Sequence, residues 1–199
     1  MCIGDAAVVW KLDHSPAVPE ISAIGWDTEG GDRAKLNLLR APASVNLLIG
    51  GQLKPGKDFP TEVTEKGRTT LCTLTPGPGS RVVYEIVRGK EKVEFRFRFE
   101  NPEAAELEAI ELAFPFDPVA CATTVIPSKW EDPDGFRLPA VLSAPDCGQL
   151  MLTGKSVMGS LTGDRYAHRI DLSLRIPARD TTVVMRPVRL PMPGGFKDE

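Results

Sequence analysis

The sequence predicts an all-β fold, a large antiparallel β-sandwich of two sheets. Three observations carry that reading. Strand-like runs recur about every 10 to 17 residues, as they do in sandwiches. Glycine and proline contribute 18 residues each out of 199, so turn formers interrupt the chain too often for long helices. The clearest hydrophobic period is two, the period of a strand with one wet and one dry face.

The strongest strand is Val93, Phe95, Phe97 and Phe99, alternating with Lys92, Glu94, Arg96 and Arg98. The run 81–88 precedes it, and Gly89-Lys90 sits between the two as a two-residue hairpin turn. A second alternation places Tyr166, His168, Ile170, Leu172, Leu174 and Ile176 on one face. Further strands are expected at 20–26, 44–49, 69–74, 120–126, 138–143, 149–153, 156–162 and 181–190. Turn chemistry fills the gaps, as in Pro76-Gly77-Pro78-Gly79 and Asp132-Pro133-Asp134-Gly135.

One segment allows two readings. Asn101-Pro102-Glu103 has the form of a helix start, with Pro at the first position. As a strand, the stretch pairs Leu107 with Ala109 and restarts at Ile110, a phase slip that a β-bulge would absorb. The strand is preferred, because Pro115 and Pro118 would stop a helix.

Residues 1–19 are expected to be an N-terminal arm or partial strand, 20–190 the sandwich, and 191–199 a linker-like tail rich in Pro and Gly. The hydrophobic fraction of 42% is that of a globular chain. The net charge of −3 and the absence of a basic stripe argue against nucleic acid. The densest cations, Arg88 to Arg98, are interleaved with Glu85, Glu91, Glu94 and Glu100, which reads as a solvated strand face. Nine acids against two cations in 101–150 suit a neutral polyol or a basic neighbour better than phosphate. No apolar run is long enough for a membrane helix. No secretory leader is recognisable at the N-terminus, which fits a cytoplasmic protein, or an exported one if a leader precedes Met1.

The chemistry of catalysis is thinly represented. Cys2, Cys72, Cys121 and Cys147 form no C-x-x-C pair, and free thiols serving as small core residues are favoured over a Cys121–Cys147 bond. His14 lies in the arm and His168 on an apolar face, which makes neither a metal cluster nor a catalytic triad. No phosphate-binding or dinucleotide fingerprint is present, and no cofactor is expected. Asp132-Pro133-Asp134-Gly135 fails the calcium-loop pattern at Trp130 and Val141, so no metal is assigned. Trp130 is the most informative residue. It stands in a proline-flanked polar loop with Glu131, Asp132, Asp134 and Arg137, downstream of Asp117. An aromatic face among carboxylates and a guanidinium can stack on a sugar and bond its hydroxyls. The competing reading is that Trp130 folds back to plug the end of the sandwich or packs on an adjacent domain.

A chain of landmarks carries a resemblance: Phe114-Pro115-Phe116-Asp117-Pro118, Thr123-Thr124-Val125-Ile126-Pro127, Trp130, Gly135, Leu138-Pro139-Ala140, Ser143-Ala144-Pro145-Asp146 and Gly148-Gln149. Together they resemble the N-terminal β-sandwich of bacterial glycoside hydrolases whose catalytic part is a barrel of paired helices. That sandwich belongs to the galactose mutarotase-like, or supersandwich, class. Leu190-Pro191-Met192-Pro193-Gly194-Gly195-Phe196 is similar to the linker into the helical barrel. The resemblance implies a non-catalytic accessory domain that packs on the helical domain and lends the Trp130–Arg137 loop to the partner or glycan. Two alternatives accompany it, a stand-alone carbohydrate-binding module and a mutarotase-like epimerase that would need His168 in an open cleft.

Overall fold

The computed structural model describes residues 7–13, 20–27, 39–89, 92–116, 124–131, 135–144, 148–162 and 170–188. Among them the chain is a two-layer antiparallel β-sandwich. One layer has eight strands, the other six, and neither sheet closes on itself.

The strands are β1 (Ala7–Asp13), β2 (Glu20–Asp27), β3 (Ser44–Ile49), β4 (Gln52–Pro55), β5 (Thr61–Lys66), β6 (Thr69–Gly77), β7 (Ser80–Arg88) and β8 (Val93–Glu100). They continue with β9 (Leu107–Phe116), β10 (Thr124–Pro127), β11 (Gly135–Arg137), β12 (Ala140–Ala144), β13 (Gly148–Gly154), β14 (Met158–Thr162), β15 (Ile170–Pro177) and β16 (Thr181–Pro187). The larger sheet runs β10-β12-β13-β16-β8-β7-β6-β5, and the smaller runs β11-β14-β15-β9-β3-β4. β1 and β2 form a separate ribbon, joined to the six-stranded sheet by the Ile21–Ala43 bridge. β1 lies within the stretch expected to be an arm.

Period two explains the layers. In β7, Val82, Tyr84 and Ile86 point inward, and in β8, Val93, Phe95 and Phe97 do. Leu172, Leu174 and Ile176 supply the same face of β15. These rows meet the inward residues of β3 and β9 in one core. Phe95 of one sheet meets Phe114 of the other edge-to-face, with ring centroids 6.5 Å apart. Each fully buried Leu, Ile or Phe contributes about 1.5–3 kcal/mol by leaving water.

The segment 101–116 satisfies both of its readings in turn. Pro102–Ala105 makes one 3-10 turn, and β9 follows at once. Register on β3 then shifts, with Leu48 opposite Ala109 but Ile49 opposite Leu107. Glu108 is the extra residue of a bulge, so Leu107 and Ile110 are both buried despite odd spacing. The Gly89 turn is longer than expected. Arg88 pairs with Val93, which leaves the four residues 89–92 in the connection, and the Gly89 N–H donates to the Lys92 carbonyl at 2.8 Å.

Three strands escape the hydrophobic pattern. β4 is exposed at every position and β5 at all but its first, and both are edge strands with no buried face to mark them. β11 has only three residues.

The charged face of β7 and β8 is less solvated than its composition implies. Glu94 is 9% exposed, its carboxylate gripped by Lys92 and by Arg96, whose Nη2 lies 2.6 Å from Oε2. Glu85 in turn takes Arg98 at 3.1 Å and Arg96 at 3.6 Å. The acids sit low on the sheet and the longer cations fold over them.

Candidate functional site

The loop singled out by sequence occupies one open border of the sandwich, where β10 ends one sheet and β11 ends the other. Pro127 closes β10, and the Ser128 N–H donates to the Pro139 carbonyl at 3.1 Å. The chain then crosses to the other layer. Trp130 forms a β-bridge with Phe136, and the Glu131 N–H donates to the Gly135 carbonyl at 2.9 Å. The 130–136 segment is therefore a small hairpin hung on the edge of the six-stranded sheet.

Phe136 anchors it. This residue is fully buried, and β11 places it opposite Gly159 of β14. The absent side chain at Gly159 makes room for the ring, the close approach that a glycine inside a strand signals. The Trp130 ring leans edge-to-face on Phe136, centroids 5.6 Å apart and planes at 78°. Trp130 nevertheless stays 46% exposed. The indole packs against the border through Phe136 while the remainder faces out.

Glu131 and Arg137 follow Trp130 and Phe136 in the chain and pair with each other. The Arg137 Nε donates to Glu131 Oε1 at 2.6 Å, and the guanidinium stays largely in solvent. The pair stiffens the hairpin and leaves the other guanidinium nitrogens free to project beyond it. Asp117, Asp132 and Asp134 lie outside the described residues, as do His14, His168, Cys2, Cys121 and Cys147. Of the six residues expected at the site, the structure brings together Trp130, Glu131 and Arg137.

Such an arrangement can hold a flat apolar face and offer hydrogen bonds around it. Within the described residues no group of three His, Cys, Asp or Glu side chains could hold a metal ion. Between the sheets lies an apolar void of about 10 Å³, bordered by Ile21, Val45, Tyr84 and Phe114, at most the room one water needs and far below that of a sugar.

Two residues of this border carried weaker signals. Phe136 was obscured by Asp-Pro-Asp-Gly, which reads as a turn, although a Phe two residues before a proline-bounded strand hints at an anchor. Ile126 falls at the end of the strand expected at 120–126, yet it is 52% exposed.

Compared with known proteins, the chain matches no family model and no curated sequence.

Proposed function

We propose that this sandwich is a non-catalytic accessory domain of a carbohydrate-active enzyme, and that its Trp130 hairpin meets glycan or the rim of a helical catalytic domain. The observation that supports the reading is the posture of Trp130. A tryptophan braced against a buried phenylalanine and 46% open presents a pre-formed platform. Holding the ring in place before binding lowers the ordering cost of stacking. Arg137, already oriented by Glu131 on the same hairpin, offers N–H donors for sugar hydroxyls. The resemblance of the 114–149 landmarks to the N-terminal sandwich of glycoside hydrolases supplies the ligand class.

The test is a titration of the protein with a panel of neutral oligosaccharides, read by tryptophan emission and by calorimetry. Trp10 and Trp26 contribute to the emission, so Trp130→Phe provides the baseline. At least one glycan is expected to bind saturably. Trp130→Ala should weaken that binding by roughly 10-fold or more, the value of about 1.4 kcal/mol of lost stacking. A heat-silent panel, or binding indifferent to Trp130→Ala, would remove the glycan platform.

A further inference from the structure

The two sheets end in four edge strands, and three of them are guarded. β5 carries Glu62, Glu65 and Lys66. β4 carries Lys54. β11 is covered by the Trp130 bridge and bears Arg137. Charge and coverage are among the means by which an edge is kept from pairing with another chain.

β10 differs. Thr124-Val125-Ile126-Pro127 has no charged residue, and neither have its neighbours β12 and β13. Three consecutive strands at one end of the eight-stranded sheet thus hold no ionisable side chain. Their registers set Ile126 beside Val141 and Val141 beside Met151. Val125 is paired with the buried Leu142, so Ile126, Val141 and Met151 share the outer face. The row is apolar and opens at the edge, where Ile126 is 52% exposed. The first charge across the sheet is Arg186, opposite Met151, three strands in from the edge. The ion pairs of Glu85, Glu94, Arg96 and Arg98 occupy the sheet beyond it, on β7 and β8.

We infer that β10 is the seam of a two-fold dimer, in which it pairs antiparallel with β10 of a second copy of this chain. The absence of charge argues for a copy over an unrelated partner. In a two-fold contact each residue near the axis meets its own counterpart, so any charge there meets its like. β10 is the one edge strand among the described residues that carries none. Antiparallel pairing that sets Ile126 opposite its own counterpart keeps the faces in phase. It sets the two Ile126 side chains together on the outer face and joins both apolar rows into one. Pro127 terminates the seam by withholding an N–H.

The seam is short. Four residues a side fall well under the roughly 1,200 Å² of a standard stable interface, so the dimer is weak and depends on concentration.

Sedimentation equilibrium over a wide concentration range reads it directly. The expected result is a reversible monomer–dimer equilibrium, with Ile126→Lys weakening association by roughly tenfold or more while the thermal midpoint is kept. Ile126→Cys is the second variant. Under mild oxidation it should give a covalent dimer whose linkage maps to position 126 in both copies, a pattern that Val63→Cys on the guarded β5 should not show. A chain that stays monomeric at the highest concentrations, or dimerises undiminished with Ile126→Lys and without the 126–126 link, overturns the seam. Glycan binding through Trp130 is scored separately on each variant, so either reading can fail while the other stands.

Discussion

The Phe136 ring fills the space that a side chain at Gly159 would occupy. A Cβ built on Gly159 would come within 2.3 Å of two ring carbons, far inside contact distance. The pair is a lock between β11 and β14, and it predicts a change of sign. Gly159→Ala should destabilise by about 1–3 kcal/mol, because a buried ring must move. Phe136→Ala alone should cost about 3–5 kcal/mol. With Phe136→Ala already present, Gly159→Ala should become neutral or mildly stabilising, by up to about 1 kcal/mol, since alanine restricts the unfolded chain more than glycine does. Denaturant midpoints of the four proteins in this cycle check it, and additive losses would refute the lock.

The same pair shows what the sequence made legible. Residues 44–49 and 93–99 emerge directly from alternation, because their strands lie inside a sheet with one face on the core. β5 does not, because an edge strand with neither face buried needs no apolar pattern. Trp130 could be singled out as a lone aromatic in a polar loop. Its brace could not, because Phe136 and Gly159 are 23 positions apart and become neighbours only through the β11–β14 register. The bulge at Glu108 was visible as a slip in phase, while its partner strand was not.

Glu94 predicts an acid-sensitive contribution to stability. Hydrogen bonds from Lys92 and Arg96 hold its carboxyl below the ordinary value of 4.5, against the opposing effect of burial. A carboxylate with a depressed value stabilises the fold above its unfolded pKa, and that stabilisation is lost as pH falls through the folded one. Glu94→Gln should therefore cost roughly 1–2 kcal/mol at neutral pH, less than a fully buried pair because Lys92 and Arg96 stay half in solvent. The difference from the parent should shrink steadily below about pH 4.5. Urea unfolding of both proteins between neutral and acid pH checks this. A gap that persists unchanged in acid would show that the charge contributes nothing.

Cys72 should be inert in the folded protein. The thiol is fully buried between the sheets, and burial pushes its pKa from 9.0 up to about 12, against a smaller pull from its hydrogen bond with Tyr84. Only the thiolate attacks alkylating reagents, so labelling at pH 8 should mark Cys72 in denaturant and spare it in the native state. The linkage runs opposite to that of Glu94. A raised value leaves the stabilisation whole below pH 9.0 and removes it as pH climbs toward about 12. Peptide mapping after timed alkylation separates Cys72 from the other cysteines, and rapid native labelling at this site would contradict its burial.

The bulge in β9 predicts an asymmetry between two deletions one turn of pleat apart. Glu108 is the surplus residue opposite Leu48 and Ile49, and Leu107 and Ile110 both face the core because of it. Deleting Glu108 would bring Leu107 and Ile110 to a spacing of two, the ordinary spacing of same-face residues, so the core rows survive. What is lost is the hydrogen bond from the Gly51 N–H to the Glu108 carboxylate at 2.6 Å and the anchorage of the Ala178 N–H on the Glu108 carbonyl. Two hydrogen bonds amount to about 1–3 kcal/mol, within reach of a domain this size. Deleting Glu111 instead lies inside the regular ladder, between Ile110 and Leu112. It would turn one half of β9 inside out, exposing either Leu107 and Ile110 or Leu112, Phe114 and Phe116. The Glu108 deletion should fold with a lowered melting temperature and the Glu111 deletion should not fold, as circular dichroism and thermal scans would show. Equal damage from both would mean that the extra residue at Glu108 is no more dispensable than its neighbours.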